Sequence, residues 1–333
     1  MAFSPDGKLV ATRGRTAQVW ELGTENQVAI MSLDDTSYGL AFSPDSQQLA
    51  TASDNKFMRI WNLPTGHRAL VTIADRGSTD TVPVIKGGWA EAQESSGTCI
   101  LFAGPEGKAI LFKASDGTVL ASFKHGSTIL SVAVTANCET MATGGSDGKI
   151  LLWSSSAPNP LHQLSHVGPI LSLQFSDDGK SLISASDDAK ASVWDVAKGE
   201  RRHVLLHKDS VHAAYFLGSG AEIALTISPQ GSAIWNVASE KHMTDLESAP
   251  TITSLSIPPY GRLLALGDRD GRVRVYDSRE GTIKQSFQTS KELWSVSLRP
   301  GQCGRGNCAT SRTRSHDLGR TFGKAPDPPN PPQ

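Results

Sequence analysis

The sequence predicts an all-β chain: a seven-bladed β-propeller of four-stranded antiparallel blades, with a disordered C-terminal tail. Three observations predict it. A set of aromatics lies on a ruler. Trp20 to Trp61 is 41 residues, and Phe112 to Trp153, Trp153 to Trp194, Trp194 to Trp235 and Trp235 to Tyr276 are each 41 again. Three histidines, His125, His166 and His207, keep the same step, each 28 residues ahead of a tryptophan. Between these marks, short β-rich runs alternate with turns built on Gly, Asp and Pro. A fixed period of about 40–45 residues marks a chain whose units cannot bury their own faces and must cover one another.

The stretch from Pro169 to Ser210 shows one unit in full. ILSLQF reads as a first strand, SDDG as a turn and SLISAS as a second strand. After a turn at DDA, KASVWDV is the third strand, and RRHVLL the fourth beyond AKGE. The same grammar gives repeats at about 1–36, 37–77, 78–127, 128–168, 169–210, 211–250 and 251–290. The third repeat is longer, since Trp61 to Phe112 is 51 residues. Most of the surplus falls in GGWAEAQESSG, a loop that carries Trp89.

Both ends of the repeat series fall mid-unit. Only Met1, Ala2 and Phe3 remain of the first strand of repeat one. Lys291–Leu298 reads as the first strand of an eighth unit, with Trp294 41 residues after Thr253. The expectation is that 291–298 fills the innermost position of blade one and closes the ring, which removes two exposed sheet edges. The propeller then spans 1–298. Residues 299–333 are rich in Gly, Pro and Arg, lack Val and Ile, and read as a disordered tail. This break also fits a frame-shifted end or a fragment of a longer protein.

Of 333 residues, 38% are apolar and 20% charged, and the net charge is −1. That balance gives no electrostatic reason to expect a nucleic-acid or membrane partner. No apolar run approaches the roughly 18 residues of a membrane span. The chain opens without a basic, apolar leader, so a cytoplasmic location is expected. The four cysteines form no CxxC pair, and Cys303, Cys308 and His316 lack the spacing of a structural zinc site. Free thiols, no metal and no cofactor are the expectation.

On these columns the chain resembles the tryptophan–aspartate (WD) repeat family of β-propellers, of the bacterial type. Only Trp194-Asp195 shows the literal dipeptide. The resemblance implies a buried tetrad of His, Ser or Thr, Asp and Trp in a blade. Two repeats match it: His125, Thr143, Asp147, Trp153 and His166, Ser184, Asp188, Trp194. In the next repeat the ruler keeps His207 and Trp235 but puts Leu225 and Pro229 in the Ser and Asp places. Asn55 stands where the second repeat would carry Asp.

The resemblance further implies a non-enzymatic interaction scaffold, a monomeric propeller whose loops bind a protein or peptide partner. Its top face is formed by the loops leading into the first strands and by the turns before the third. Matching positions are Tyr38, His212 and Trp294 in the first set and Asp54, Ser146, Asp187 and Arg269 in the second; Trp89, in a loop between first and second strands that the resemblance puts on the bottom face, is a further partner anchor. A propeller-type hydrolase is the rival reading. Gly144-Gly145-Ser146-Asp147-Gly148 does fit GxSxG, but it falls in a turn between two strands, where a hydrolase needs a strand-to-helix elbow. The charges from Arg269 to Arg274 read as a solvated strand face.

Overall fold

The computed structural model describes residues 2–4, 6, 8–12, 15–22, 24, 26–33, 37–42, 46–53, 57–63, 69–74, 99–103, 107–113, 118–217, 221–229, 231–246, 252–256, 263–268, 270–277, 280–288, 293–298, 309–313 and 320–322. Every regular element among them is a β-strand, and every pairing is antiparallel. The chain separates into two compact units, Met1–Glu247 and Ser248–Gln333.

The first unit holds six sheets in chain order. Sheet 1 pairs Ala2–Phe3, Leu9–Thr12, Thr16–Glu21 and Gln27–Ser32. Sheet 2 runs from Ser37–Phe42 to Ala69–Ala74, and sheet 3 shows three strands, Cys99–Ala103, Lys108–Lys113 and Val119–Lys124. Sheets 4, 5 and 6 have four strands each, starting at Ile129, Ile170 and Ala213. The second unit holds sheet 7, from Ile252–Ser256 to Ile283–Gln288, and the three-stranded sheet 8.

Sheet 5 shows why these residues make these strands. Its second strand, Ser181–Ser186, is buried on both faces, and its fourth, Glu200–Leu206, is mostly exposed. The fourth strand accordingly carries the charged side chains, as an edge requires. In the first turn Ser176 Oγ accepts the Ser181 N–H at 3.0 Å, while Gly179 holds the left-handed φ of +67°. Apolar cores form where neighbouring sheets meet. Leu101, Leu111 and Phe123 of sheet 3 meet Val132, Met141 and Trp153 of sheet 4. Ala133, Ile150 and Leu152 of sheet 4 meet Phe175, Leu182 and Trp194 of sheet 5.

The ruler aromatics occupy equivalent places. The pairing of third and fourth strands shifts register next to Trp20, Trp61, Phe112, Trp194, Trp235 and Tyr276. A bulge beside a large ring adds local twist and aims it at a fixed angle.

Three expectations are corrected. Leu293–Leu298 does not take the inner place of sheet 1, where Ala2–Phe3 already pairs with Leu9–Thr12. It pairs instead with Ala309–Thr313, which pairs with Arg320–Phe322 to make sheet 8. Its register slips between Leu293 and Ser295, as it does between Ile170 and Ser172 in sheet 5, so it behaves as a first strand. A nearby segment closes a shorter loop than a chain end almost three hundred residues away. The second correction follows. Ala309–Thr313 and Arg320–Phe322 are strands where no regular element was expected, because the free edge of Leu293–Leu298 offers hydrogen bonds and Thr suits a ladder.

The third correction concerns the thiols. Cys99, at the start of its strand in sheet 3, is bonded to Cys138, in the first turn of sheet 4, with Cα atoms 6.1 Å apart. The pair is 39 residues apart, close to one repeat, so the fold sets the two side by side on neighbouring sheets. Cys303 and Cys308 lie outside the described residues.

Candidate functional site

The two complete tetrads are formed. In sheet 5 Trp194 Nε1–H donates to Ser184 Oγ at 2.8 Å, His166 Nε2 lies 2.8 Å from the same oxygen, and His166 Nδ1 lies 3.0 Å from Asp188 Oδ2. The donor inventory sets the proton order. Indole can only donate and a carboxylate can only accept. His166 therefore donates from Nδ1 to Asp188 and accepts at Nε2 from Ser184 O–H.

Burial lowers the His166 pKa, with Asp188 offsetting part of it, so the ring stays neutral at neutral pH. Burial pushes the Asp188 carboxyl up, but the Val167 N–H, the His166 ring and the Ser186 hydroxyl outweigh it, so its pKa falls below the usual carboxylate value.

Sheet 4 runs the same relay through the opposite ring nitrogens. His125 Nδ1 lies 2.7 Å from Thr143 Oγ1, Trp153 Nε1–H donates to that oxygen at 2.9 Å, and His125 Nε2 faces Asp147 at 3.4 Å. The last link is longer, and the Asp147 side chain is 31% exposed against 8% for Asp188. Gly145 leaves room for it, since a Cβ there would sit 2.4 Å from both His125 Nε2 and Asp147 Oδ1.

In sheet 6 the Ser/Thr place is filled after all. Trp235 Nε1–H donates to Thr226 Oγ1 at 2.7 Å, which corrects the expectation that Leu225 stands there. The hairpin is one residue shorter. Ser228 pairs directly with Gly231, so the strand slides by one against the ruler. Among the described residues no carboxylate meets His207. Its Nε2 is buried without a partner, its ring stacks edge-on against Trp235 at 5.1 Å, and Trp235 stacks in turn on His242 at 5.2 Å. Burial, with His242 adding to it, lowers the His207 pKa to about 4. Sheet 2 keeps part of the pattern, with Trp61 Nε1–H donating to Thr51 Oγ1 at 2.9 Å.

The tetrads pin the turns of one sheet end. The Ser146 N–H donates to Thr128 O at 2.9 Å, and the Asp187 N–H to Pro169 O at 3.1 Å. These bonds hold the turn before the third strand against the lead into the first, and both side chains point to solvent. His212 begins sheet 6 at the corresponding end, exposed, with its N–H on Ile227 O at 2.8 Å.

Between Ser146 and His212 in the chain lies a residue that sequence reasoning missed. Val167 is 90% exposed, and its N–H is held by Asp188 Oδ2 at 3.0 Å. It lies just ahead of the unit that begins at Pro169 and follows the tetrad histidine directly, as Gly126 and Lys208 do in the flanking sheets. Leu206, 66% exposed, ends the outer strand at the same end, opposite Lys190. Asp54, Trp89 and Arg269 lie outside the described residues. Tyr38 and Trp294 fall within first strands, Ser37–Phe42 and Leu293–Leu298.

The hydroxyl of Ser184 is fully buried and engaged by Trp194 and His166, which leaves no face for a substrate. Ser146 of the GxSxG stretch sits in a strand-to-strand turn. Arg274 corrects the solvated-face reading. It is buried, and its Nη1 lies 3.4 Å from the buried Asp268 Oδ2. Among the described residues no group of His, Cys, Asp or Glu is placed to hold a metal ion, and no helix is long and apolar enough to cross a membrane.

This is a β-propeller fold, made of antiparallel sheets in which Trp61, Trp153, Trp194 and Trp235 each bond a buried hydroxyl. Comparison with known proteins agrees. The family model for the WD domain, G-beta repeat, matches residues 29–62, 114–154 and 158–195, and that for the anaphase-promoting complex subunit 4 WD40 domain matches 222–299. Each of the first three stretches ends on the last residue of a third strand, so each sequence repeat joins the outer strand of one sheet to three strands of the next. WD repeat and SOCS box-containing protein 1 of Homo sapiens is 32% identical over 68 residues, covering 19% of this chain and 16% of that protein. These matches support the WD-repeat family.

Two crystal structures are similar over 97% of the chain. The C-terminal WD40 domain of Sif2 has a TM-score of 0.77, 22% identity and 94% of its own chain covered. The computationally designed Ika8 protein has 0.76, 18% and 95%.

Proposed function

We propose that this chain is a non-enzymatic scaffold that holds a protein or peptide partner on the turn-bearing ends of sheets 4, 5 and 6. The observation that carries this reading is Val167, an almost fully exposed apolar side chain whose backbone is fixed by the buried Asp188 carboxylate. An ordered apolar side chain in water costs little entropy when a partner covers it. Ser146, Asp187, Lys208 and His212 lie exposed at the same ends and supply a polar surround, as an interface rim requires. WD40 propellers generally mediate protein–protein contacts, which supports the class of partner. Tyr38, Asp54, Trp89, Arg269 and Trp294 stay in the proposal as partner-binding residues by their place in the repeat alone. The proposal includes a cytoplasmic, monomeric protein.

The test is affinity capture with mass spectrometry, comparing the full chain with a Val167→Asp/Asp187→Lys variant. The variant is expected to keep its circular dichroism and melting temperature and to lose the captured partner. An unchanged set of captured proteins, with the fold intact, would overturn this site.

A further inference from the structure

The boundary between sheets 3 and 4 is tied at both ends. At one end the His125 N–H donates to Gly107 O at 2.7 Å, and Gly107, at φ +70°, lies so close to Ser127 O that a Cβ would sit 2.3 Å from it. The opposite end carries the bond between Cys99 and Cys138. The strand register fixes this opposition. Ala103 pairs with Ala109 near the Gly107 turn, whereas Cys99 pairs with Lys113 at the far end. Between the ties lies the shared apolar core of Leu101, Phe123, Val132 and Met141. Cys99 is buried within that core and Cys138 sits half-buried in a turn at φ +60°.

We propose that Cys99 and Cys138 form a redox-controlled clamp on the boundary between sheets 3 and 4. Two features of the fold suit the pair to reversible chemistry. The sulfurs come from separate sheets, so the bond joins segments 39 residues apart and constrains the unfolded chain strongly. The apolar core remains when the bond opens, so the reduced protein keeps its sheets and the thiols stay facing each other.

The exchange balances with a small-molecule thiol as co-reactant. A thiolate attacks Sγ of Cys138, the less buried of the two residues, and the Cys99 thiolate leaves and takes up a proton. A second thiolate attacks the mixed disulfide on Cys138 and releases it as a thiolate, which is protonated. The protein disulfide gains two electrons and two protons, and the small thiol is oxidised to its disulfide. The reverse direction uses a small-molecule disulfide as oxidant.

The test uses the full chain equilibrated with glutathione disulfide or with dithiothreitol. Mass spectrometry of the oxidised, alkylated digest is expected to find a peptide joining Cys99 to Cys138, which dithiothreitol abolishes. The oxidised chain is expected to melt higher than the reduced one by on the order of 5 °C. A Cys303→Ser/Cys308→Ser variant keeps that shift, and a Cys99→Ala/Cys138→Ala variant loses it. Should the double alanine variant fail to fold, the wild-type peptide map and melting shift decide alone. Both cysteines alkylated after oxidation, or a joined peptide with no change in melting, would overturn the clamp.

Discussion

Thr226 accepts the indole N–H of Trp235 from nine residues upstream, where Thr143 and Ser184 reach their tryptophans from ten. Register, not count, decides the partner. Trp235 pairs with Ala224 as Trp194 pairs with Leu182, and the acceptor is in each case two residues further along the strand. Thr226→Ala leaves the buried indole N–H of Trp235 unpaired and is expected to cost about 1–3 kcal/mol. Thr226→Ser should retain most of that stability. Urea denaturation of the two variants measures the difference.

The two complete tetrads are unequal. Asp188 is 8% exposed and takes His166 at 3.0 Å together with the Val167 N–H, whereas Asp147 is 31% exposed and takes His125 at 3.4 Å. Asp188→Ala is expected to lower stability by about 2–3 kcal/mol and Asp147→Ala by about 1 kcal/mol, following the number and burial of the bonds lost. Chemical denaturation midpoints with a shared m-value check the order. Equal losses would show that the exposed carboxylate is held as firmly as the buried one.

Ala189 stands at φ +62°, in the turn place that Gly148 and Gly107 occupy one and two repeats earlier. A Cβ in the left-handed region costs about 1 kcal/mol. Ala189→Gly is therefore expected to stabilise the protein by about 0.5–1 kcal/mol after the added freedom of the unfolded chain is counted. A rise in melting temperature is the readout.

Burial lowers the His207 pKa to about 4 in the fold from the ordinary imidazole value of 6.5, so the unfolded chain binds the extra proton between those values. The stability it contributes is complete above pH 6.5 and is lost as pH falls towards 4. After allowance for its partial exposure, the loss is about 2 kcal/mol. His125 and His166 are also lowered by burial and act in the same direction. Asp147 and Asp188, held below 3.8, add a further loss only at more acid pH. Urea midpoints from pH 8 to 4 should fall below pH 6.5, and His207→Phe should flatten that fall. An identical profile in the variant would count against His207 as the source.

In sheet 7 Arg274 and Asp268 are both buried, and Asp268 also accepts the Arg272 N–H at 2.9 Å. Removing one partner strands a charge, so Arg274→Met is expected to cost about 3–5 kcal/mol. Arg274→Met/Asp268→Leu should recover most of it. A double-mutant cycle in urea reads the coupling.

The 41-residue step located the strands because the aromatics hold equivalent places in the third strands, and four of them, Trp61, Trp153, Trp194 and Trp235, bond a hydroxyl on the second strand. The same ruler misled at Leu225, since counting from Trp235 ignores the direct pairing of Ser228 with Gly231. Counting through that pairing instead would have found Thr226. Cys99 and Cys138 were read by motif spacing alone. A separation of 39 in a 41-residue repeat places two side chains on neighbouring sheets, and that signal was present. Val167 escaped because it falls at the junction of two repeats, just ahead of the unit that begins at Pro169. Only the Asp188 bond to its N–H shows it to be outside the ladder. The pairing of Leu293–Leu298 depended on which free edge lay nearest, and alternation carries no such information.

Sheet 6 does not satisfy its own backbone. The Val211 N–H is taken by Ser186 O at 3.0 Å, and the Phe216 N–H by Gln174 Oε1 at 2.7 Å, both acceptors belonging to sheet 5. Adjacent units thus lend each other acceptors, and a unit moved elsewhere in the series would arrive with donors its new neighbour cannot meet. Shuffling or grafting of these repeats must therefore carry Gln174 and the Ser186 carbonyl along with sheet 6, so the smallest transplantable piece is a pair.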